Sequence, residues 1–472
     1  MGTEHSDALV FFGATGDLAY QQIFPALQAL IKRGRLDVPI VGVALSGWTL
    51  EQLRVRARES LQAHGGVDEA AFAKLSSLLC YIDGDYNDPA TYDRIRSALG
   101  DARRPLHYLA IPPSMFGTVV RGLANAGCAT NARVVVEKPF GRDLASAVEL
   151  NCILHEYFPE RAIFRIDHYL GKEPVQNIFY TRFSNIWLEP IFNRVYVDHV
   201  QITLAEQFGV RGRGRFYEEA GAIRDVVQNH MLQLAACVLM EPPTGSTPEP
   251  LRDAKGTLIK AMRNLRPEDV VRGQYRGYRD EAGVAPDSTV ETYAAVRLLV
   301  DTWRWSEVPV FIRAGKCLPV SACEVLVRFR CPPFSPFGEN LATAPNYLRF
   351  RLSPEIVISL GTRVKRGGEA MVGEPVELEV MRYVRHALKP YERLLGDAME
   401  GDPTLFARQD EVEAAWEVVD PILGNVTPVY PYEQGMWGPA EAARLAPPNG
   451  WYDPPAKEFI PTAPAEPEAI QA

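Results

Sequence analysis

Apolar residues fill every position from Ala8 to Phe12, and the run ends abruptly at Gly13-Ala14-Thr15-Gly16-Asp17-Leu18-Ala19. Apolar positions then recur at helical spacing through Ile23, Leu27, Leu30 and Ile31, so the segment reads as strand, glycine turn and helix. Further short apolar runs at Pro39 to Leu45, Leu106 to Ile111 and Arg133 to Val136 follow at the spacing of right-handed crossovers. Strands that are apolar on both faces and alternate with helices predict a parallel, doubly wound, Rossmann-like α/β sheet.

From about residue 180 the period changes. Alternating runs at Asp198 to Leu204, Ala294 to Asp301, Val308 to Arg313, Glu324 to Phe329, Tyr347 to Leu352 and Glu355 to Leu360 predict strands of an antiparallel or mixed sheet. Helical patterns lie between them at Ile223 to Met240 and Gln409 to Val419. The expected organisation is a Rossmann-like first domain over 1–178, a larger α+β domain with a mostly antiparallel sheet over 179–450, and a mobile tail over 451–472. That tail is rich in Pro, Ala and Glu and has little to bury.

Bulk composition narrows the classes. The 472 residues carry 50 basic and 59 acidic side chains, a formal charge of -9, which disfavours nucleic acid or an anionic membrane as partner. No run approaches the roughly 20 apolar residues of a membrane span, and no signal-like N-terminus is evident, so a cytoplasmic protein is expected. Seven cysteines without a CxxC pair point to reduced, mostly buried thiols and to no zinc or other metal site.

Four segments carry candidate chemistry. The glycine turn offers Gly13 and Gly16 for close backbone approach, and the helix that follows presents free amides to a pyrophosphate. Arg165-Ile166-Asp167-His168-Tyr169-Leu170-Gly171-Lys172-Glu173 sets an ammonium, an imidazole and a phenol where they can hold a phosphate, with Asp167 left to orient a base. Ala110-Ile111-Pro112-Pro113-Ser114 and Val135-Val136-Glu137-Lys138-Pro139 each leave a buried strand at the ligand edge, the first expected to form a rigid wall with a possible cis proline. The apolar helical stretch from Gly221 carries Asp225, Gln228, Asn229 and His230, polar groups that are costly to bury without partners. Two histidines, His168 and His230, are candidate general bases, and the residues alone leave the choice between them open.

Taken together these motifs resemble the glucose-6-phosphate dehydrogenase family. The resemblance runs from about residue 8 to about 440 and includes GATGDLA (13–19), HYLAIPPS (107–114), EKPFGRDLASA (137–147), RIDHYLGKE (165–173), AIRDVVQNH (222–230), FIRAGK (311–316), the long stretch 391–416 and GMWGP (435–439). It implies oxidation of glucose 6-phosphate at C1 to 6-phosphogluconolactone, with hydride passing to NADP or NAD, and a homodimer or homotetramer built on the large sheet. By the same resemblance His230 is the catalytic base and Asp167 its carboxylate partner. His168, Tyr169 and Lys172 bind the phosphate, while Glu206, Asp225, Lys138 and Lys316 bind the sugar. The cofactor would lie against Gly13, Thr15, Gly16, Asp17, Leu18, Ser46, Pro112 and Lys138.

Three departures each remove a cation. Ala44-Leu45-Ser46 stands where the family carries Ala-Arg-Ser, whose arginine pairs with the 2′-phosphate of NADP. No acid ends that strand to grip the free ribose of NAD. Tyr20-Gln21-Gln22 replaces a basic cluster, and Ser321-Ala322 replaces a cation expected near the sugar. The expectation is relaxed cofactor choice with NAD accepted. The alternatives are a paralogue oxidising a modified hexose 6-phosphate and a catalytically idle sugar-phosphate-binding regulator.

Overall fold

The structure, a computed structural model, describes residues 5–338, 345–381 and 388–456. Its first sheet contains β1 (Ala8–Phe12), β2 (Ile40–Ala44), β3 (Leu79–Asp83), β4 (Pro105–Leu109), β5 (Arg133–Val136) and β6 (Ile163–Arg165) in the order β3-β2-β1-β4-β5-β6, with all pairings parallel. This is the doubly wound order, with its topological switch between β1 and β4, where such sheets bind ligands outside the strand ends. Every residue of β1, β2 and β4 is buried, which is why β1 and β2 read as unbroken apolar runs and β4 as one broken only by His107.

The second sheet comprises β7 (Val197–Ala205), β8 (Val270–Tyr275), β9 (Tyr293–Leu298), β10 (Val310–Gly315), β11 (Ala322–Phe329), β12 (Tyr347–Ser353), β13 (Val357–Lys365), β14 (Gly373–Met381) and β15 (Val429–Tyr432). They are ordered β14-β13-β12-β11-β7-β10-β9-β8-β15. The sheet is mixed rather than purely antiparallel, because β7 runs parallel to β10 and β15 parallel to β8. The β7/β10 register sets Ala205 beside Gly315, so the next residues on each strand, Glu206 and Lys316, emerge together.

Late segments return to the first sheet. Met399 carbonyl accepts from Ser6 N–H (2.8 Å) and from Arg133 Nη1 (2.7 Å), and Ala407 N–H donates to Arg165 carbonyl (3.1 Å). Trp416, 1 % exposed, donates its indole N–H to Phe140 carbonyl at 2.8 Å. One apolar cluster consequently extends from Ala8 to Ile422, and the cleft between the sheets has rigid walls.

Several expectations are corrected. The helical stretch Ile223 to Met240 is a π-helix over Ile223–Met231 followed by an α-helix over Leu232–Leu239. The cis peptide bonds among the described residues precede Pro139 and Pro354, and the Pro112–Pro113 step is trans. The cysteines are free and four of the seven are buried, in line with the expectation, while Cys80, Cys152 and Cys331 are exposed. Residues 451–455, expected in a mobile tail, are pinned to the large sheet: Tyr452 N–H donates to Gln201 Oε1 (2.8 Å) and Arg313 Nη2 to Asp453 Oδ1 (2.7 Å). The rest of that expectation, residues 457–472, lies outside the described residues. Among the described residues no helix is long and apolar enough to cross a membrane, and no cluster of His, Cys, Asp or Glu could hold a metal ion.

Candidate active site

The π-helix explains how one short segment carries two groups to one point. In an α-helix, positions five apart such as Asp225 and His230 diverge by about 140° around the axis, whereas the i→i+5 bonding of a π-helix brings them onto one face. Its entry is fixed by Gly221, whose φ of +63° breaks the preceding helix Gly214–Ala222; a Cβ there would meet Glu291 Oε1 at 2.4 Å. Asp225 and His230 then converge on Lys138, which leaves β5 at the ligand edge. Lys138 Nζ donates to Asp225 Oδ1 (3.1 Å), to the Asp225 carbonyl (2.9 Å) and to His230 Nε2 (3.1 Å).

On the other side of the imidazole, His230 Nδ1 lies 2.6 Å from Asp167 Oδ1, and both side chains are 3 % exposed. The same carboxylate oxygen accepts from Tyr169 N–H at 2.9 Å. A nitrogen facing a carboxylate must donate and one facing an ammonium must accept, so the neutral ring carries its proton on Nδ1 and directs the Nε2 lone pair toward Lys138. Tyr169 stacks on His230 with ring centroids 4.4 Å apart, His168 meets its edge at 4.4 Å, and Lys172 Nζ lies 3.5 Å from the Tyr169 ring centroid. The Tyr169 hydroxyl meets the Cys323 thiol of β11.

Burial pushes His230 below the ordinary imidazole value; the Asp167 charge opposes this shift, and the Lys138 charge reinforces it. Burial acts in the opposite sense on Asp167, but the charge of and hydrogen bond to His230 hold its carboxyl well below the usual range. Asp225 likewise resists burial, and Lys138 with Lys316 draws it down to about 2. His168 is pushed well below its ordinary value, first by burial and then by His230. At neutral pH the cluster is a neutral His230 between ionised Asp167 and Asp225, which suits a proton acceptor.

A cleft of about 800 Å³ joins this cluster to the glycine turn, lined at one end by Asp17 and Leu18 and at the other by Lys138, His168 and Asp225. Gly13 has φ +78°, and a Cβ on it would lie 2.1 Å from the Ala110 carbonyl, so the turn requires glycine. Asp17 and Leu18 open the helix, where first-turn amides have no internal partner. That cradle suits a dinucleotide's pyrophosphate. Thr15 and Gly16 continue the turn, and Pro112 is exposed beyond the end of β4.

Lys316 pairs with Glu206 at the ends of β10 and β7. Ser321 Oγ accepts from Gln207 N–H at 3.1 Å and so fastens the loop after Glu206. The Ser46 hydroxyl turns toward the Tyr81 hydroxyl at 2.7 Å.

Three further groups at or beside the site carry no clear signal in the sequence pattern. Glu137 is buried beside Lys138, accepts from Tyr108 and, at 3.4 Å, from Tyr391, and is raised by burial to about 7. Cys323 is raised by burial to about 12. Asp83 holds the loop after β2. Only Glu137 left a trace, as an acid directly following an apolar strand.

A doubly wound sheet with a glycine cradle, facing a carboxylate-paired histidine across one cleft, defines a two-domain dehydrogenase. Family profiles described as glucose-6-phosphate dehydrogenase, NAD binding domain and C-terminal domain match residues 10–177 and 179–452. The chain belongs to the glucose-6-phosphate dehydrogenase family. It is 44 % identical over 462 residues to glucose-6-phosphate 1-dehydrogenase 1 of Mycobacterium tuberculosis, covering 95 % of this chain and 97 % of that one. It is 39 % identical over 477 residues to glucose-6-phosphate 1-dehydrogenase of Aggregatibacter actinomycetemcomitans, covering 94 % and 96 %. The crystal structure of glucose-6-phosphate 1-dehydrogenase from Mycobacterium avium superposes with a TM-score of 0.90 at 44 % identity, over 97 % of this chain and 100 % of that one. A glucose-6-phosphate dehydrogenase solved in complex with its substrate glucose 6-phosphate superposes with a TM-score of 0.88 at 33 % identity, over 96 % and 100 %.

Proposed function

We propose that this protein oxidises glucose 6-phosphate at C1 to 6-phosphogluconolactone, the first step of the oxidative pentose phosphate pathway. The observation that carries the proposal is the His230 ring held between Asp167 at 2.6 Å and Lys138 at 3.1 Å. His230 Nε2 takes the proton of the C1 hydroxyl as the hydride leaves the same carbon, so one C–H and one O–H bond become a carbonyl. Asp167 stabilises the imidazolium that results. Lys172, His168 and Tyr169 hold the 6-phosphate, Glu206 and Asp225 accept from ring hydroxyls, and Lys316 and Lys138 supply donors.

A bound nicotinamide dinucleotide supplies the hydride acceptor. Gly13, Thr15, Gly16, Asp17 and Leu18 would cradle its pyrophosphate, Ser46 the adenosine end, and Pro112 with Lys138 the nicotinamide end. Leu45 is 67 % exposed and cannot pair with a 2′-phosphate, which favours acceptance of NAD beside NADP. The protein works in the cytoplasm as a homodimer or homotetramer, the exposed Met371, Val372 and Leu378 at the β14 edge favouring the large sheet as its contact. Incubating the protein with a panel of hexose 6-phosphates, each with NAD and NADP, tests the proposal. Absorbance of the reduced cofactor should rise with glucose 6-phosphate, and no turnover with any sugar would overturn it.

A further inference from the structure

The loop after β2 contains an anion-binding hollow that the protein fills itself. Asp83, the last residue of β3, is in register with Ala44, the last of β2. Its Oδ1 accepts from Ser46 N–H (2.9 Å), Gly47 N–H (2.8 Å) and the Tyr81 hydroxyl (3.0 Å). Successive backbone N–H groups converging on one point are a typical seat for an anion. The Ser46 amide is the chief cause holding the Asp83 carboxyl below its ordinary value, so the seat holds a negative charge at neutral pH.

In doubly wound dehydrogenases the end of the second strand meets the adenosine ribose, where an acid accepts from free hydroxyls and an arginine accommodates a 2′-phosphate. Here the acid comes from the neighbouring strand. No ion pair involves Asp83 among the described residues; Arg94 Nη1 reaches only its backbone carbonyl, at 2.9 Å. Arg56, on the helix Leu50–Ala63, is drawn to Asp17 at 3.6 Å and lies 4.5 Å from the Tyr20 ring centroid. A 2′-phosphate would therefore enter beside a carboxylate, with the loop's amides already engaged and only Leu45 in the arginine's place.

We infer that Asp83 determines cofactor choice, accepting the free ribose hydroxyls of NAD and repelling the 2′-phosphate of NADP. The inference rests on the nicotinamide-dinucleotide reading above and makes it specific: NAD binds at least as tightly as NADP. Asp83→Asn keeps the size and the amide-accepting oxygen while removing the charge, so it separates repulsion from loop support.

Calorimetric titration of the full chain with NAD and with NADP is the test. Asp83→Asn should move the ratio of the two affinities toward NADP by about tenfold, the scale of one nearby charge on a phosphate. Combined with Leu45→Arg, it should move the ratio further than Leu45→Arg alone. A wild-type protein that strongly prefers NADP, or an Asp83→Asn variant whose two affinities change in parallel, overturns the inference while leaving the dinucleotide reading intact. Failure of the wild type to bind either nucleotide overturns both.

Discussion

Lys138 Nζ occupies the position, 3.1 Å from His230 Nε2, where a substrate hydroxyl must arrive for that nitrogen to take its proton. Asp167 grips the opposite nitrogen at 2.6 Å. The two charges act on the imidazole in opposite senses: the carboxylate favours its protonated form and the ammonium its neutral form. Each therefore has its own signature in the pH dependence of turnover, because a base works only when unprotonated.

Asp167→Asn removes the charge that raises the His230 value. The acid limb of kcat should move to lower pH while the plateau falls by about 10²-fold or more, since an amide can also hold the wrong tautomer. A pH–rate profile checks both, and an acid limb displaced upward contradicts the assignment.

Lys138→Met removes a cation that lowers the His230 value, so its acid limb should move to higher pH. The two variants are expected to bracket the wild type in matched pH–rate profiles. If both limbs shift the same way, charge at the ring is not what sets them.

Lys172→Ala should raise KM for glucose 6-phosphate by about 10-fold or more, the cost of a charge-assisted contact, with a smaller change in kcat. Steady-state kinetics with glucose as a second substrate provides the control. Because glucose lacks the phosphate, its turnover should be far less sensitive to the change.

Glu137→Gln addresses stability. Burial raises the Glu137 carboxyl from 4.5 to about 7 in the folded protein, so its contribution is fully present below about 4.5 and is lost as pH rises through about 7. Glutamine is neutral throughout. The stability of the wild type relative to the variant should thus decline between about pH 4.5 and 7, by up to about 3 kcal/mol, and level off above. Denaturant melts from pH 5 to 8 measure this, and a constant difference contradicts the buried-acid account.

The strands buried on both faces were legible because β1 and β2 have no polar side chain to confuse the pattern and β4 has only His107. β3 was not, since Cys80 is exposed and Tyr81 and Asp83 are half-buried in this edge strand. β14 hides for a similar reason, as an edge strand whose Glu374, Glu377 and Glu379 interrupt its apolar residues. The polar cluster on the helix after Gly221 stood out by composition. Its convergence on Lys138 did not, because a 3.6-residue period places Asp225 and His230 on different faces and only the π-helix unites them. The pairing of His230 with Asp167 needed the fold as well: the two lie 63 positions apart and meet only when the two domains do. Asp83 carries no signal of its own because the loop it holds lies 37 positions earlier in the chain.

The most direct test of the account is turnover of glucose 6-phosphate by His230→Asn, measured as reduced nicotinamide beside the wild type under saturating sugar and cofactor. The expected result is a kcat lower by about 10²-fold or more, with KM for the sugar changed far less, as loss of a general base requires. A variant that turns over at the wild-type rate would contradict the assignment of His230 as the group that takes the C1 proton.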